Sequence, residues 1–325
     1  MEKVTMADVA KAAGVSKSTV SQYLNNRFEY MGEKTKLKIQ EAIKDLGYQP
    51  NFIARSLKQK RTSMVGIIVA NITHYFSTEI SRAIEDICHK HDLHAIVCNA
   101  DDDPEKEKKY IEMLRAKQVD GLIIFPTGQN NVLYKSMLEQ GYPLVFVDRR
   151  VENLEAFSVI TDNKESTYKA VQHFIAKGHQ NIAFVVQPLK VSTRIDRLAG
   201  YKKALTDAGL EVNPNLIIEA SITDMKSELE RLFSLEDRPT ALFAANDRVF
   251  LVVGEFLKEK GIKLEKELEL AVFDNIPFAH LLDAPISFIT QPATEMGKKA
   301  AELLFEQINK ENSPPEVYVF PSRIL

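Results

Sequence analysis

Four polar pairs, Asp148-Arg149, Asp162-Asn163, Asn246-Asp247 and Asp274-Asn275, each close an apolar run of this chain. Brought together, such carboxylates and amides can bridge neighbouring hydroxyls, which is what a polyhydroxylated small molecule requires of its site. Arg149, Arg150, Arg194 and Arg197 add guanidinium groups that can hold a carboxylate by two bonds at once. A second set lies near the start. Lys17 can donate to guanine, Gln22 can pair twice with adenine, Ser18 can reach base edges or phosphates, and Thr19 and Ser21 suit the phosphate backbone. Enzyme motifs are missing: there is no G-x-G-x-x-G, G-x-x-x-x-G-K-[ST], G-x-S-x-G or H-E-x-x-H. His89, His91 and His94 would fall on a helix end and a strand entry, so neither a metal site nor a cofactor is expected.

Charge separates the two sets. Residues 1–62 hold 12 Lys+Arg against 6 Asp+Glu, a formal +6; the remaining 30 against 39 give −9, which together return the net of −3. A cationic head on an anionic body suggests two jobs, with a polyanion as the partner of the head. No apolar run reaches the roughly 18 residues of a membrane span. Met1 to Asp8 contain no apolar stretch of a signal peptide, and Cys88 and Cys98 lack any C-x-x-C spacing, so free thiols and the cytoplasm are expected.

The head reads as three helices. Thr5 caps the first, with Val9, Ala10 and Ala13 on its apolar face, and Gly14 stops it. Ser16 caps a second, from Lys17 to about Asn25, with Val20 and Leu24 inward. A third runs from about Glu33 to Leu46 with Ile39, Ala42, Ile43 and Leu46 at helical spacing, and Gly47 ends it. Two short helices joined by a Gly-containing turn make a helix-turn-helix. A solvated face of a generic bundle is the competing reading, and the local charge argues against it.

The ordered motif Thr5-x-x-Asp8-Val9-Ala10-x-x-Ala13-Gly14-Val15-Ser16-x-x-Thr19-Val20-Ser21, followed by Leu46-Gly47-Tyr48-x-Pro50-Asn51 and Ala54-Arg55-Ser56-Leu57, resembles the DNA-binding head and hinge of the lac repressor family. Weakly, the chain also resembles repressors of hexuronate and ketodeoxygluconate use. The resemblance implies a head over 1–49 and a hinge helix over 50–62 that forms on operator DNA. DNA contact is thereby carried to Thr5, Ser16, Lys17, Ser18, Thr19, Ser21, Gln22, Asn25, Asn51, Ala54, Arg55 and Leu57. A helix of about eight residues is marginal alone, so such a hinge can order on binding. An exposed leucine in a basic linker can wedge between base steps and kink the duplex. Leu57→Ala is therefore expected to weaken operator binding in fluorescence anisotropy and to leave effector binding unchanged. Gly32 stands where relatives place a serine cap, and the turn Asn25 to Met31 is bulkier than is usual.

From Met64 onward, apolar runs alternate with amphipathic stretches. Strands are expected at 65–70, 94–100, 121–126, 143–148, 158–162, 181–187, 241–246, 268–274 and 287–291, with helices at 79–89, 104–117, 164–177 and 248–260. This alternation is α/β with parallel sheets, and about ten strands suit two lobes better than one sheet. Asp101 to Glu105 reads as a helix cap with Pro at the first helical position and acids at the positive dipole end. The resemblance implies a two-lobed, type I periplasmic sugar-binding-protein-like body over 63–325, with crossovers near 161–163, 290–293 and 320. It also implies an effector pocket holding Arg197, Asp274, Asn246, Asp148, Arg149 and Thr193, lined by the aromatic pair Tyr75 and Phe76. Ile222 stands where some relatives have an aromatic and the chain has no Trp, so stacking on a sugar would rest on Tyr75 and Phe76. Singly, each has an ordinary alternative: a strand-end aspartate often caps a helix, and Phe76 could be core.

The function expected from both readings is a ligand-responsive regulator, a homodimeric repressor on a palindromic operator, answering to a sugar or sugar acid. Rival readings are a global carbon regulator governed by a phosphocarrier partner and, against the basic head, a transport receptor.

Overall fold

A computed structural model describes residues 4–29, 31–49, 61–264, 266–277, 285–311 and 313–325. The chain divides into two compact units, residues 1–62 and 63–325. The first contains α1 (Met6–Ala13), α2 (Lys17–Leu24) and α3 (Glu33–Leu46). Their ends are fixed by local chemistry: Thr5 N–H donates to Asp8 Oδ2 at 2.8 Å, and Ser16 Oγ accepts from Thr19 N–H at 3.1 Å. Gly14 and Gly47 close α1 and α3 at φ 66° and 59°, a left-handed conformation suited to glycine. Val9, Ala10, Ala13, Val20, Ile39 and Ala42 form the core as their spacing predicts, whereas Leu24, Ile43 and Leu46 are only half-buried. The bulky turn has a structural use. Met31 and Tyr48 are buried in the same core, Phe28 meets Tyr23 edge-on at 5.9 Å, and Lys36 Nζ stands 4.7 Å over the Phe28 ring.

The second unit is built on two six-stranded sheets. The first uses β1 (Met64–Val69), β2 (His94–Asn99), β3 (Gly121–Ile124), β4 (Leu144–Val147), β5 (Phe157–Thr161) and β11 (Val317–Phe320), in the order β11-β5-β4-β3-β1-β2. The second uses β6 (Ile182–Val186), β7 (Ile217–Glu219), β8 (Ala241–Ala244), β9 (Glu269–Phe273), β10 (Ile286–Thr290) and β12 (Arg323–Ile324), in the order β12-β10-β9-β8-β6-β7. Every pairing is parallel except β10 with β12. Continuous apolar runs suit such strands, because helices cover both faces. β3, β4, β5, β6 and β8 are buried along their whole length. All nine strands expected from the apolar runs form; β7, β11 and β12 are additional.

Eight α-helices and a short 3-10 helix (Pro214–Leu216) complete this unit among the described residues: α4 (Tyr75–Lys90), α5 (Pro104–Ala116), α6 (Asn131–Glu139), α7 (Asn163–Ala176), α8 (Ser192–Asp207), α9 (Met225–Phe233), α10 (Asp247–Lys260) and α11 (Ala293–Ile308). The chain passes between lobes after β5, after β10 and between β11 and β12. Asp162 knots the first and third crossings: its Oδ1 accepts from Ser166 Oγ at 2.7 Å and from Ser322 N–H at 2.8 Å. Thr161 Oγ1 adds a bond to Phe320 O at 2.9 Å. No helix among the described residues is long and apolar enough to cross a membrane.

α7 and α8 pack backbone to backbone at Gly200, where an added Cβ would stand 2.2 Å from Lys164 O. Rigid backbone cannot yield as a side chain can. Gly200→Ala is expected to cost about 2 kcal/mol and to lower the calorimetric melting temperature by about 4 to 8 °C. An unchanged melting temperature would mean the two helices part freely.

Candidate functional site

The carboxyl ends of both sheets face one narrow cleft, the usual ligand position in open α/β sheets. Lobe one contributes His74, Phe76 and Ser77 at the start of α4, and Asp148 and Arg149 after β4. Lobe two contributes Thr193, Arg194 and Arg197 from α8, Asn246 after β8, Asp274 after β9 and Gln291 after β10. These side chains enclose a cavity of about 40 Å³, space for a water molecule or two. Asp148 and Asp274 sit at φ 71° and 91°, which branched or bulky residues rarely adopt. Each still donates its N–H to the next strand, to Val159 O and Ile289 O, while the kink turns its carboxylate to the cleft. Backbone held off its preferred region at a site of converging polar groups is the pattern of a functional site.

Arg197 is 4% exposed. Its Nε donates to Asn163 Oδ1 at 2.7 Å and its Nη1 to Ala245 O at 2.6 Å, and its guanidinium lies 3.6 Å over the Phe273 ring. Burial depresses its basicity, opposed chiefly by the negative charge of Asp274. Asp274 Oδ1 accepts from Gln291 Nε2 at 2.5 Å. Burial pushes the Asp274 carboxyl up to about 6; Arg197 pulls against this and Asp247 adds to it. Gln291 is 5% exposed, and its Oε1 has no hydrogen-bond partner. A buried acceptor left unmet costs stability, so it awaits a donor.

The lobes are held together across the cleft. Arg194 Nη2 donates to Asp102 Oδ2 at 2.9 Å, Arg150 Nη2 to Asp196 at 2.8 and 2.9 Å, and His74 Nδ1 pairs with Asp247. Burial alone would raise the Asp247 carboxyl, but the His74 bond and the N–H groups of Tyr75 and Arg248 hold it below its ordinary value. Asp102 behaves likewise: burial raises it, and Arg149 and Arg194 lower it further than burial raises it. The Arg150–Asp196 pair is half-exposed and worth little, whereas breaking the buried pairs would strand a charge.

Of the residues assigned to the pocket from sequence, Phe76, Asp148, Arg149, Thr193, Arg197, Asn246 and Asp274 line this cavity, and Tyr75 does not. Adjacent positions on a helix point about 100° apart, so only Phe76 faces the cleft. Tyr75 lines a separate hollow with Glu79 and Arg82, and the nearby Glu79 charge raises its hydroxyl. Stacking on a ring therefore rests on Phe76 alone of the pair. Asp162 is also absent from the cavity, being spent on the crossings. Asn246 lines the cavity but its polar atoms are committed: Oδ1 caps α10 at Val249 N–H, 2.9 Å, and Nδ2 donates to Gln187 at 2.8 Å. Ile222 packs against the lobe-two core. Sequence reasoning missed His74, Ser77, Gln291 and Asp102. Gln291 carried the same signal as the others, a polar residue ending an apolar run. Atoms of His74, Asp247 and Asp274 lie within 4.8 Å of one another, a spacing metals use, but His74 and Asp247 already satisfy each other and Arg197 supplies the cation beside Asp274.

In the head, Lys17, Ser18 and Gln22 are exposed along one side of α2, with Thr19, Ser21 and Asn25 half-buried. Thr5 and Ser16 spend polar atoms on capping, and Asn25 Nδ2 donates to Ser21 O at 2.7 Å. Asn51, Ala54, Arg55 and Leu57 lie outside the described residues, as does the hinge helix expected there.

A helix-turn-helix unit and a closed two-lobed α/β receptor in one chain define a class of ligand-governed DNA-binding proteins. Residues 62–325 match the family described as periplasmic binding proteins and sugar binding domain of LacI family, and residues 5–51 match bacterial regulatory proteins, lacI family. The chain belongs to the LacI family of transcriptional regulators, which are not enzymes. It is 44% identical over 315 residues, 96% of this chain and 93% of the other, to the Paenibacillus polymyxa protein named "Probable HTH-type transcriptional regulator EndR". To the HTH-type transcriptional regulator KdgR of Bacillus subtilis (strain 168) it is 30% identical over 325 residues, 99% and 96% of the two chains. Its fold is that of the lac repressor dimer bound to operator and the anti-inducer ONPF, with a TM-score of 0.86 at 24% identity over 100% of this chain and 98% of that one.

Proposed function

We propose that the cleft takes a sugar or sugar acid, and that its occupancy sets how tightly a homodimer of this chain holds a near-palindromic operator of carbohydrate or sugar-acid catabolism genes. The cytoplasm is its place of action. Two heads are needed because a single small module buries too little surface for strong discrimination. Lys17, Ser18 and Gln22 read the major groove, and Leu57 of each subunit enters the minor groove. The reading of the cleft rests above all on the trio Arg197, Asp274 and Gln291, which offers buried donors and acceptors with one acceptor unmet. That arrangement suits vicinal hydroxyls. Ligand closure between lobes changes the spacing of the two hinge segments, and a coupling of about 1 to 3 kcal/mol suffices for control.

The test is fluorescence anisotropy of purified protein on promoter fragments, with and without neutral sugars and sugar acids and with no second protein. Operator affinity is expected to shift about 5- to 150-fold with the right ligand. A requirement for a phosphocarrier protein, or equal binding to scrambled DNA, sinks the proposal.

A further inference from the structure

Asp102 sits between two arginines that belong to opposite lobes: its Oδ1 is 2.7 Å from Arg149 Nη1, and its Oδ2 accepts from Arg194 Nη2 at 2.9 Å. The arginines are 5% and 7% exposed and both line the cavity. Two buried guanidinium groups therefore share one carboxylate, whose own side chain is 28% exposed. The match is imperfect. Asp102 Oδ1 and Arg149 Nε are both buried without a partner in hydrogen-bonding geometry, and Arg149 Nε reaches Asp148 only at 3.4 Å.

The two sides of this contact differ in exposure. Arg194 is also tied to Pro188 O at 3.0 Å and Arg149 to Pro126 O at 3.3 Å, so both would keep their places without Asp102. The Asp102 backbone is held as well, its N–H donating to Ala70 O at 2.8 Å, with Asp101 and Asp102 consecutively at φ 55° and 56°. Its carboxylate is nevertheless the more exposed partner, 28% against 6% and 9% for the two arginine side chains. Its departure alone would leave desolvated Arg194 without this carboxylate and Arg149 with only the longer carboxylate contact, to Asp148 at 3.4 Å. Its exchange for another carboxylate would preserve the charge balance, and the newcomer would inherit the tie between lobes.

The geometry points to Asp102 as an internal stand-in, its carboxylate filling a seat that a carboxylate of the effector takes over by displacing it. This rests on the carbohydrate reading of the cleft and narrows the ligand to sugar acids. Arg149 and Arg194 grip the acid group, and Arg197, Asp274 and Gln291 are left to the hydroxyls.

Formate tests the seat without any sugar. Thermal unfolding is compared in sodium formate and sodium chloride at equal ionic strength. Asp102→Ala is expected to melt about 2 to 4 °C higher in formate, while wild type and the Asp102→Ala/Arg194→Ala double variant show no such difference. Asp102→Asn, which keeps the side-chain shape, is expected to move in the same direction and decides the matter if the alanine variant does not fold. No formate-specific gain, or an equal gain in the double variant, overturns the proposal. In calorimetric titration Asp102→Ala should bind galacturonate about tenfold more tightly than wild type, with galactose unaffected; equal tightening of both overturns it too. If formate behaves as expected yet no carbohydrate alters operator binding, the carbohydrate reading falls and the carboxylate seat stands.

Discussion

Arg197→Ala is expected to abolish the response to effector and to cost about 3 to 5 kcal/mol of stability, the usual penalty for removing one partner of a buried charged network. The loss has separate parts. Asn163 Oδ1 and Ala245 O lose their donor, the Phe273 face loses its cation, and Asp274 loses the charge that opposes its protonation. None of these groups belongs to the head, so operator binding by the folded fraction should persist. Arg197→Lys separates the roles: it retains a cation but lacks the planar fork that reaches both oxygens. Stability should then recover in part, while the effector shift stays small. Urea unfolding gives the first quantity and anisotropy on operator, with and without ligand, the second. A variant that unfolds like wild type and still responds would remove Arg197 from the site altogether.

How far the site could be read from sequence depends on which constraint each residue obeys. Asp148 and Asp274 were legible because a parallel strand is a continuous apolar run, and the first polar residue past it must lie at the carboxyl edge. The same rule named Asn246, which does line the cavity though its Oδ1 caps a helix, and Asp162, where it overreached. Strand-end position fixes where a side chain is, but not whether a neighbouring chain segment has claimed its oxygens, as Ser166, Ser322 and Val249 have done. Asp102 shows the reverse. A run of aspartates before Pro104 reads as a helix cap, and Asp103 does cap, accepting from Glu105 N–H at 2.9 Å. That Asp102 turns away to meet Arg194 of the other lobe is a contact between residues 92 positions apart, which no local pattern encodes. Strands β7, β11 and β12 escaped for a different reason. Two are three residues or shorter, and β11 lies at a sheet edge with Val317 and Val319 exposed, so neither length nor burial marks them. In the head, Phe28 and Met31 lay in a turn, where a helical period gives no sign that they close the core.

Asp274 should make the wild-type protein less stable at neutral pH than at mildly acid pH, relative to Asp274→Asn. In the native state its carboxyl keeps its proton up to about pH 6, because burial penalises the charged form more than Arg197 favours it. In the unfolded chain an aspartate releases its proton near pH 4. Between these values the native state binds more protons, so this residue makes stability fall as pH rises. Its cost is absent below about pH 4 and complete somewhat above pH 6, where it is of the order of 3 kcal/mol. The asparagine keeps a polar group opposite Gln291 and has nothing to titrate. Other carboxylates change alike in both proteins and largely cancel in the difference. Urea unfolding at pH 5, 6 and 7.5 should therefore show the wild type losing ground to Asp274→Asn as pH rises, most steeply near pH 6. Parallel profiles would mean that Asp274 holds its proton no more tightly in the native state than in the unfolded chain, so that Arg197 fully offsets the effect of burial.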